Sequence, residues 1–309
     1  MSARRVLVAS AIALLMPASL LLSTQTSSAN PVSTVSSHTA AKTFAATTSA
    51  RKKRKGKVTP LPSTTPTWAD EFSGSSLAPH WSHRGQDYEK DSKRLCSKGD
   101  PSAVKVKGGK VRISVIKDRK RKGKCKARER GKVVGKFAYR LNGHIGTENQ
   151  FSFKYGTIAA RIKFQKSRGQ HGSFWMQPAE ATGGNEMDVI EYFGDKHPQG
   201  GLTSFIHWYK GKKSIKTGSW IKKSHKFLKN KRDGWSKNFH VFSVEWKPNL
   251  LIFRIDGKES WRTRTAVSQA AQYPILSLLA SDYELSEMKD KKLPQHMYVD
   301  WIRVWEDTP

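Results

Sequence analysis

Acid, cysteine and long apolar runs are scarce in this chain. Among 309 residues only 25 are Asp or Glu, against 56 Lys or Arg, for a formal net charge of +31. Two cysteines exclude a disulfide-dense miniprotein, and the shortage of long apolar runs excludes a multi-span helical membrane protein. No segment beyond residue 67 sustains a helical period over three turns, which argues against alternating strand–helix architectures. Disorder is excluded by what is present, since ten Trp are too many for a chain that builds no core. What remains is a strongly basic protein with an ordinary core. Such a charge attracts anions of every kind, so it names a class of partner and no activity.

The one long apolar stretch, Val6 to Leu22, follows Arg4 and Arg5 and precedes the small residues Ser27, Ser28 and Ala29. That order is the pattern of a signal peptide over 1–29, whose cleavage leaves no transmembrane span in the mature chain. Residues 30–66 are rich in Ser, Thr, Ala and Pro, with one aromatic (Phe44) and no acid. They carry the run Arg51-Lys52-Lys53-Arg54-Lys55-Gly56-Lys57. Such a segment buries too little apolar surface to offset its ordering entropy and reads as a disordered basic linker. It serves either as a tether to an anionic cell wall or as a solvated spacer. All ten Trp lie between Trp68 and Trp305, which places one folded domain at 67–309. Export implies an extracellular, oxidising location, where Cys96 and Cys125 are expected to form a disulfide. Two cysteines so far apart, with no His pair at ligand spacing, give no support to a structural zinc site.

The body alternates with period two. Val111, Ile113 and Val115 interleave with Lys110, Arg112 and Ser114, and Ile158, Ala160, Ile162 and Phe164 with Thr157, Ala159, Arg161 and Lys163. Phe242, Val244 and Trp246 share a face. Leu251, Phe253 and Ile255 run up to Asp256-Gly257, a hairpin signal, with Trp261 on the return. The last strand is read with Tyr298, Ile302 and Val304 on one face and Val299, Trp301, Arg303 and Trp305 on the other. The expectation is an all-β, two-sheet β-sandwich.

The chemical signal is Glu186-Met187-Asp188-Val189-Ile190-Glu191. An acid-poor chain places three carboxylates within six residues of an apolar strand, where like charges repel. In a regular strand Glu186 and Asp188 share a face and Glu191 does not; one extra residue, a β-bulge, returns Glu191 to it. Glu186 and Glu191 are then about 13 Å apart at Cα, near enough for inward-leaning side chains to reach the carboxyl spacing of a retaining glycosidase. Such chemistry needs one ionised and one protonated carboxyl, which neighbouring negative charge supplies from two Glu. A calcium site or a solvated acidic edge fits an apolar strand poorly.

With these residues the sequence resembles glycoside hydrolase family 16, whose signature in bulged form is Glu-x-Asp-x-x-Glu. The resemblance covers 68–305: Trp68-Ala69-Asp70-Glu71-Phe72, Tyr155-Gly156 with Ala160-Arg161-Ile162-Lys163, Phe174-Trp175, Phe239-His240, Asp256-Gly257 and Val299-Asp300-Trp301-Ile302-Arg303-Val304 occur in the family's order. It implies a jelly roll with a concave substrate groove, Glu186 as nucleophile, Asp188 as its assistant and Glu191 as acid/base. Where many glucan-acting members carry Trp-Pro-Ala-Phe-Trp, this chain has His171-Gly172-Ser173-Phe174-Trp175, so His171 replaces the first Trp. Trp175 is the remaining sugar platform, and His207 and Trp208 are expected to line the cleft. No cofactor is expected, and a structural calcium is left open.

The resulting expectation is a secreted, endo-acting, retaining glycoside hydrolase of a β-linked polysaccharide, monomeric, whose substrate is anionic or wall-associated. A transglycosylase on cell-wall glycans uses the same residues. A non-catalytic glycan-binding protein on the same fold would lose one of the two Glu, and both are present. Residues 209–232 hold ten Lys or Arg and no acid, interleaved with Tyr209, Trp220 and Phe227. Without a nucleic-acid-binding motif, and with export expected, that segment does not make nucleic acid the partner.

Overall fold

The computed structural model describes residues 57–85, 87–88, 96–129, 132–180, 184–210, 213–281 and 284–307. The expected signal peptide, and the linker as far as residue 56, lie outside the described residues. The strands in chain order begin with β1 (Trp68–Asp70), β2 (Ser82–His83), β3 (Ser97–Gly99), β4 (Val104–Val106), β5 (Val111–Lys117) and β6 (Cys125–Glu129). Next come β7 (Lys132–Phe137), β8 (Arg140–Gly146), β9 (Gly156–Lys163), β10 (Gln170–Pro178), β11 (Glu186–Tyr192) and β12 (Leu202–Lys210). The last six are β13 (Lys213–Trp220), β14 (His240–Lys247), β15 (Leu250–Ile255), β16 (Lys258–Thr263), β17 (Gln272–Ala280) and β18 (Gln295–Glu306). Helical pieces among the described residues are short 3₁₀ turns such as Ser224–Phe227. None is long and apolar enough to cross a membrane.

The pairing order is β13-β12-β11-β10-β17-β8-β5-β18-β9-β14-β15-β16. Strand β8 joins the two layers of the sandwich: Arg140, Leu141 and Asn142 pair with β5, and Gly143 to Gly146 pair with β17. Gly143 stands at that crossing, where a Cβ would lie 2.5 Å from Ile113 Cγ2 and 2.9 Å from Ala103 O, closer than atoms pack. One layer, β8 with β17 and β10–β13, carries the acidic strand. The other is built on β5, β18, β9 and β14–β16.

The alternating apolar residues meet between the layers. Val111, Ile113, Val115, Ile158, Ala160, Ile162, Phe242, Val244, Trp246, Leu251, Phe253 and Ile255 are all buried there. Asp256 and Gly257 take φ of 47° and 74°, the doubly left-handed turn expected between β15 and β16. Strand β18 departs from the alternation read from sequence. Its pairing skips between Val299, opposite Ile162, and Trp301, opposite Arg161. This bulge switches parity, so Met297 and Val299 join Ile302 and Val304 in the core while Tyr298 turns outward with Trp301 and Arg303. Residues 57–66, inside the stretch read as linker, run along the body. Val58 bridges to Lys258, Thr59 N–H donates to Gly257 O at 2.8 Å, and Trp305 Nε1 donates to Thr64 O at 2.9 Å.

Cys96 and Cys125 form the expected disulfide, with Cα atoms 5.5 Å apart. It ties the two-stranded β6–β7 ribbon to the segment before β3 and lies in a small buried cluster with Ala127, Phe137 and Tyr139. Closing a loop of 29 residues' separation removes unfolded-state freedom of about 3–4 kcal/mol. Replacing both cysteines by Ser is therefore expected to lower the Tm by roughly 10 °C. Calorimetry of the double variant checks this, and an unchanged Tm would assign the ribbon's stability to packing alone.

Candidate active site

The acidic strand β11 has its apolar residues Met187, Val189, Ile190 and Tyr192 in the core cluster. Its pairing on both sides carries one residue too many. On β10, Phe174 faces Ile190 and the next residue, Trp175, faces Asp188. On β12, Phe205 faces Asp188 and Thr203 faces Glu191, two steps against three. The extra residue lies between Asp188 and Glu191, where the bulge was expected. Glu186, Asp188 and Glu191 accordingly share the outer face of their sheet. Cross-strand pairing adds His171, Ser173 and Trp175 from β10, Thr203, Phe205 and His207 from β12, and Ser277 from β17 to that face.

Glu191 is held at both oxygens. His171 Nε2 lies 2.6 Å from Oε1, and Thr203 Oγ1 donates to Oε2 at 2.7 Å. Ser173 Oγ is 2.9 Å from the same imidazole nitrogen, and the His171 ring stacks on Phe193 with centroids 4.5 Å apart. His171 Nδ1 is buried with no hydrogen-bond partner among the described residues, which fits the tautomer whose Nε2–H donates to Glu191. Burial pushes the Glu191 carboxyl up, but His171 and Thr203 outweigh it, and the net shift is downward.

Asp188 goes the other way. Burial, then the neighbouring charge of Glu191, push it well above the usual carboxylate range. His207 Nε2, 3.3 Å from Asp188 Oδ2, opposes that rise without cancelling it. His207 is itself lowered by burial, yet the three carboxylates outweigh this and raise it overall. Gln177 Nε2 donates to Glu186 Oε2 over a long 3.4 Å. Gln177 is fixed in turn by Arg84 at 3.0 Å and Tyr273 at 2.9 Å, and Arg84 is paired with Glu148 at 2.9 Å.

The face thus offers an ionised Glu191, an Asp188 that retains its proton to higher pH, and Glu186 across from them. Oxygens of Glu186 and Asp188 and a nitrogen of His207 lie within 4.8 Å of one another. That spacing also suits a cation held by oxygen and imidazole ligands.

Trp175 is on the groove face, its Nε1 donating to Ser277 Oγ at 3.2 Å and its ring 5.9 Å from that of His144. His171 and His207 are there as well, each against a carboxylate. Trp208 is not: one step past His207, it falls on the opposite face and packs against the core. Thr203, Ser173, Gln177, Arg84 and Tyr273 were not singled out from sequence. Only register reveals them, because Thr203 is a neighbour of Glu191 through strand pairing alone.

Residues 101–303 match the family model for glycosyl hydrolases family 16. The chain belongs to that family. It is 23% identical over 273 residues to the glucan endo-1,3-beta-glucosidase A1 of Niallia circulans, covering 78% of this chain and 37% of that protein. It is 24% identical over 183 residues to the keratan-sulfate endo-1,4-beta-galactosidase of Sphingobacterium multivorum, covering 55% of this chain and 40% of the other. The chain therefore spans well under half the length of these two relatives. The fold is similar to that of the laminarinase catalytic domain from Thermotoga maritima MSB8, with a TM-score of 0.61 at 20% identity, over 79% of this chain and 99% of that one.

The raised proton affinity of Asp188 has a definite sign in stability. Its contribution is full below the unfolded carboxyl value near 4 and is lost as pH rises through the higher folded value. Asp188→Asn, which carries no such charge, is expected to raise the Tm at pH 8 and to leave it little changed at pH 3. Thermal unfolding across that range checks this, and an equal effect at both pH values would contradict it.

Proposed function

We propose that this chain is a secreted, endo-acting glycoside hydrolase that cleaves a β-linked polysaccharide, β-glucan first, with net retention. The bulge carries the reading, since it brings Glu186, Asp188 and Glu191 onto one face, with the proton affinities of Asp188 and Glu191 shifted in opposite directions. The names of the relatives, a β-1,3-glucanase and a keratan-sulfate endo-galactosidase, support an endo-acting enzyme on a β-linked glycan. Secretion rests on the N-terminal pattern of Arg4, Arg5 and the apolar run that follows.

In this mechanism Glu186 attacks the anomeric carbon and forms a glycosyl-enzyme bond, while Glu191 gives its proton to the leaving oxygen and then accepts one from the incoming water. Asp188 lies between them, and by retaining its proton to higher pH it limits the repulsion of three like charges. His171 and Thr203 fix the Glu191 carboxylate in one orientation. A sugar bound over the groove excludes water, which adds to the burial of Glu191 and raises it toward the acid form. In the free protein, however, Glu191 has the low proton affinity expected of a nucleophile. The assignment of nucleophile and acid/base follows the order of the family motif.

Azide distinguishes the two orders. Glu186→Gln is expected to abolish turnover of polymer with folding intact, and wild-type rates in that variant would sink the proposal. Glu191→Ala is expected to lose about 10²–10⁴-fold on polymer and far less on an aryl glycoside, whose leaving group needs no acid. Azide added to Glu191→Ala should restore rate and give a glycosyl azide of retained configuration, because it takes the place of water at the covalent intermediate. An azide product of inverted configuration would make Glu191 the nucleophile. A screen of neutral, uronate and sulfated polysaccharides for new reducing ends identifies the substrate.

A further inference from the structure

A cavity of about 690 Å³ lies away from the acidic strand. It lies on the outer face of the other layer, with the shared core between the two. Arg161 and Lys163 reach it from β9, where Ala160 and Ile162 point the other way into the core. Lys229, Arg232, Lys237 and Phe239 close it from the segment before β14. Lys229 and Arg232 belong to the basic stretch 209–232 that the candidate active site leaves unused.

Five cationic side chains here meet two carboxylates, and both carboxylates are committed elsewhere. Asp233 accepts from the backbone N–H groups of Lys229 and Gly234, at 2.9 and 3.0 Å. Asp256 takes His240 Nδ1 at 2.8 Å and the Val241 N–H at 2.9 Å. Arg161 pairs with Asp300 at 2.5 Å, whereas Lys163, Arg232 and Lys237 have no carboxylate within ion-pair distance among the described residues. The β18 bulge turns Tyr298 to this face, so that Lys163 Nζ is 4.8 Å from its ring centroid and 5.5 Å from that of Phe239. Arg161 Cζ lies 4.7 Å from the same Phe239 ring. The rings hold the cations in place and are themselves partly covered by them.

We propose that this cleft is a second glycan site, which binds an acidic polysaccharide on the side of the sandwich opposite the acidic strand. Fixed cations beside apolar walls suit a pyranose chain bearing carboxylates or sulfates. A single-stranded nucleic acid held through its bases would need open aromatic faces to stack on, and cations already lie over Phe239 and Tyr298. The site anchors the protein to an acidic matrix while the groove on the other face stays open. It is separate from the catalytic reading and stands or falls without it.

The test is affinity electrophoresis of the full chain in gels containing polygalacturonate, which carries carboxylates alone, or chondroitin sulfate, which carries sulfates as well. Lys229, Arg232 and Lys237 are all exposed, so their joint substitution by Gln leaves the core untouched, and an unchanged Tm verifies this. The triple variant is expected to bind roughly tenfold more weakly than wild type in at least one of the two gels. A control triple at Lys213, Lys222 and Lys223, also exposed but outside the cavity, is expected to bind as wild type. Glu186→Gln should keep full retardation, which separates this site from the groove. The basic run 51–57 is present in every variant, so its contribution cancels. Equal weakening by both triples would reduce the effect to diffuse charge and overturn the proposal. So would the absence of retardation, or tighter binding of single-stranded DNA than of either glycan.

Discussion

One extra residue in β11 controls the rest of the site. Because Phe174 faces Ile190 while Trp175 faces Asp188, the strand changes parity between its second and third acids. Without that change Glu191 would point into a core of Phe174, Met176 and Ile206, where an unpaired carboxylate is costly. With it, three carboxylates share one surface, where burial and the charge of Glu191 raise Asp188 while His171 and Thr203 lower Glu191. The bulge is therefore both a packing solution and the source of the electrostatics.

The same device recurs in β18, to opposite effect. There the skip between Val299 and Trp301 sends Tyr298 outward to meet Lys163. In each layer a bulge takes a strand out of simple alternation and gives the outer face a character of its own, acidic and aromatic on one side, cationic and aromatic on the other. The apolar core keeps the two faces apart, so a protein with a large net positive charge still presents a concentrated acidic strip.

His171 shows how a change in residue type becomes a change in chemistry. A Trp at that position would offer a sugar a flat apolar face. The imidazole instead lies against Phe193 and binds Glu191 at 2.6 Å, so the position acts on a carboxylate rather than on a sugar ring. Thr203 and Ser173 complete the hold through pairs that no local motif records.

Period-two alternation and the Asp256-Gly257 signal were enough to determine a β-sandwich, because burial of one strand face is a local property of the chain. The acidic strand and its need for a bulge were also legible, since like charges in an apolar run demand an explanation within a few residues. The two cysteines, behind an N-terminus that reads as an export signal, pointed to their own pairing. The tertiary structure decided what depends on register: the second parity switch in β18, the turn of Trp208 into the core, and the partners of each carboxylate. It also decided where the basic residues meet, because a cavity formed by β9 and the segment before β14 joins side chains some seventy residues apart. Sequence records which faces alternate, but only pairing across strands fixes which side chains touch, and proton affinity and binding depend on touch.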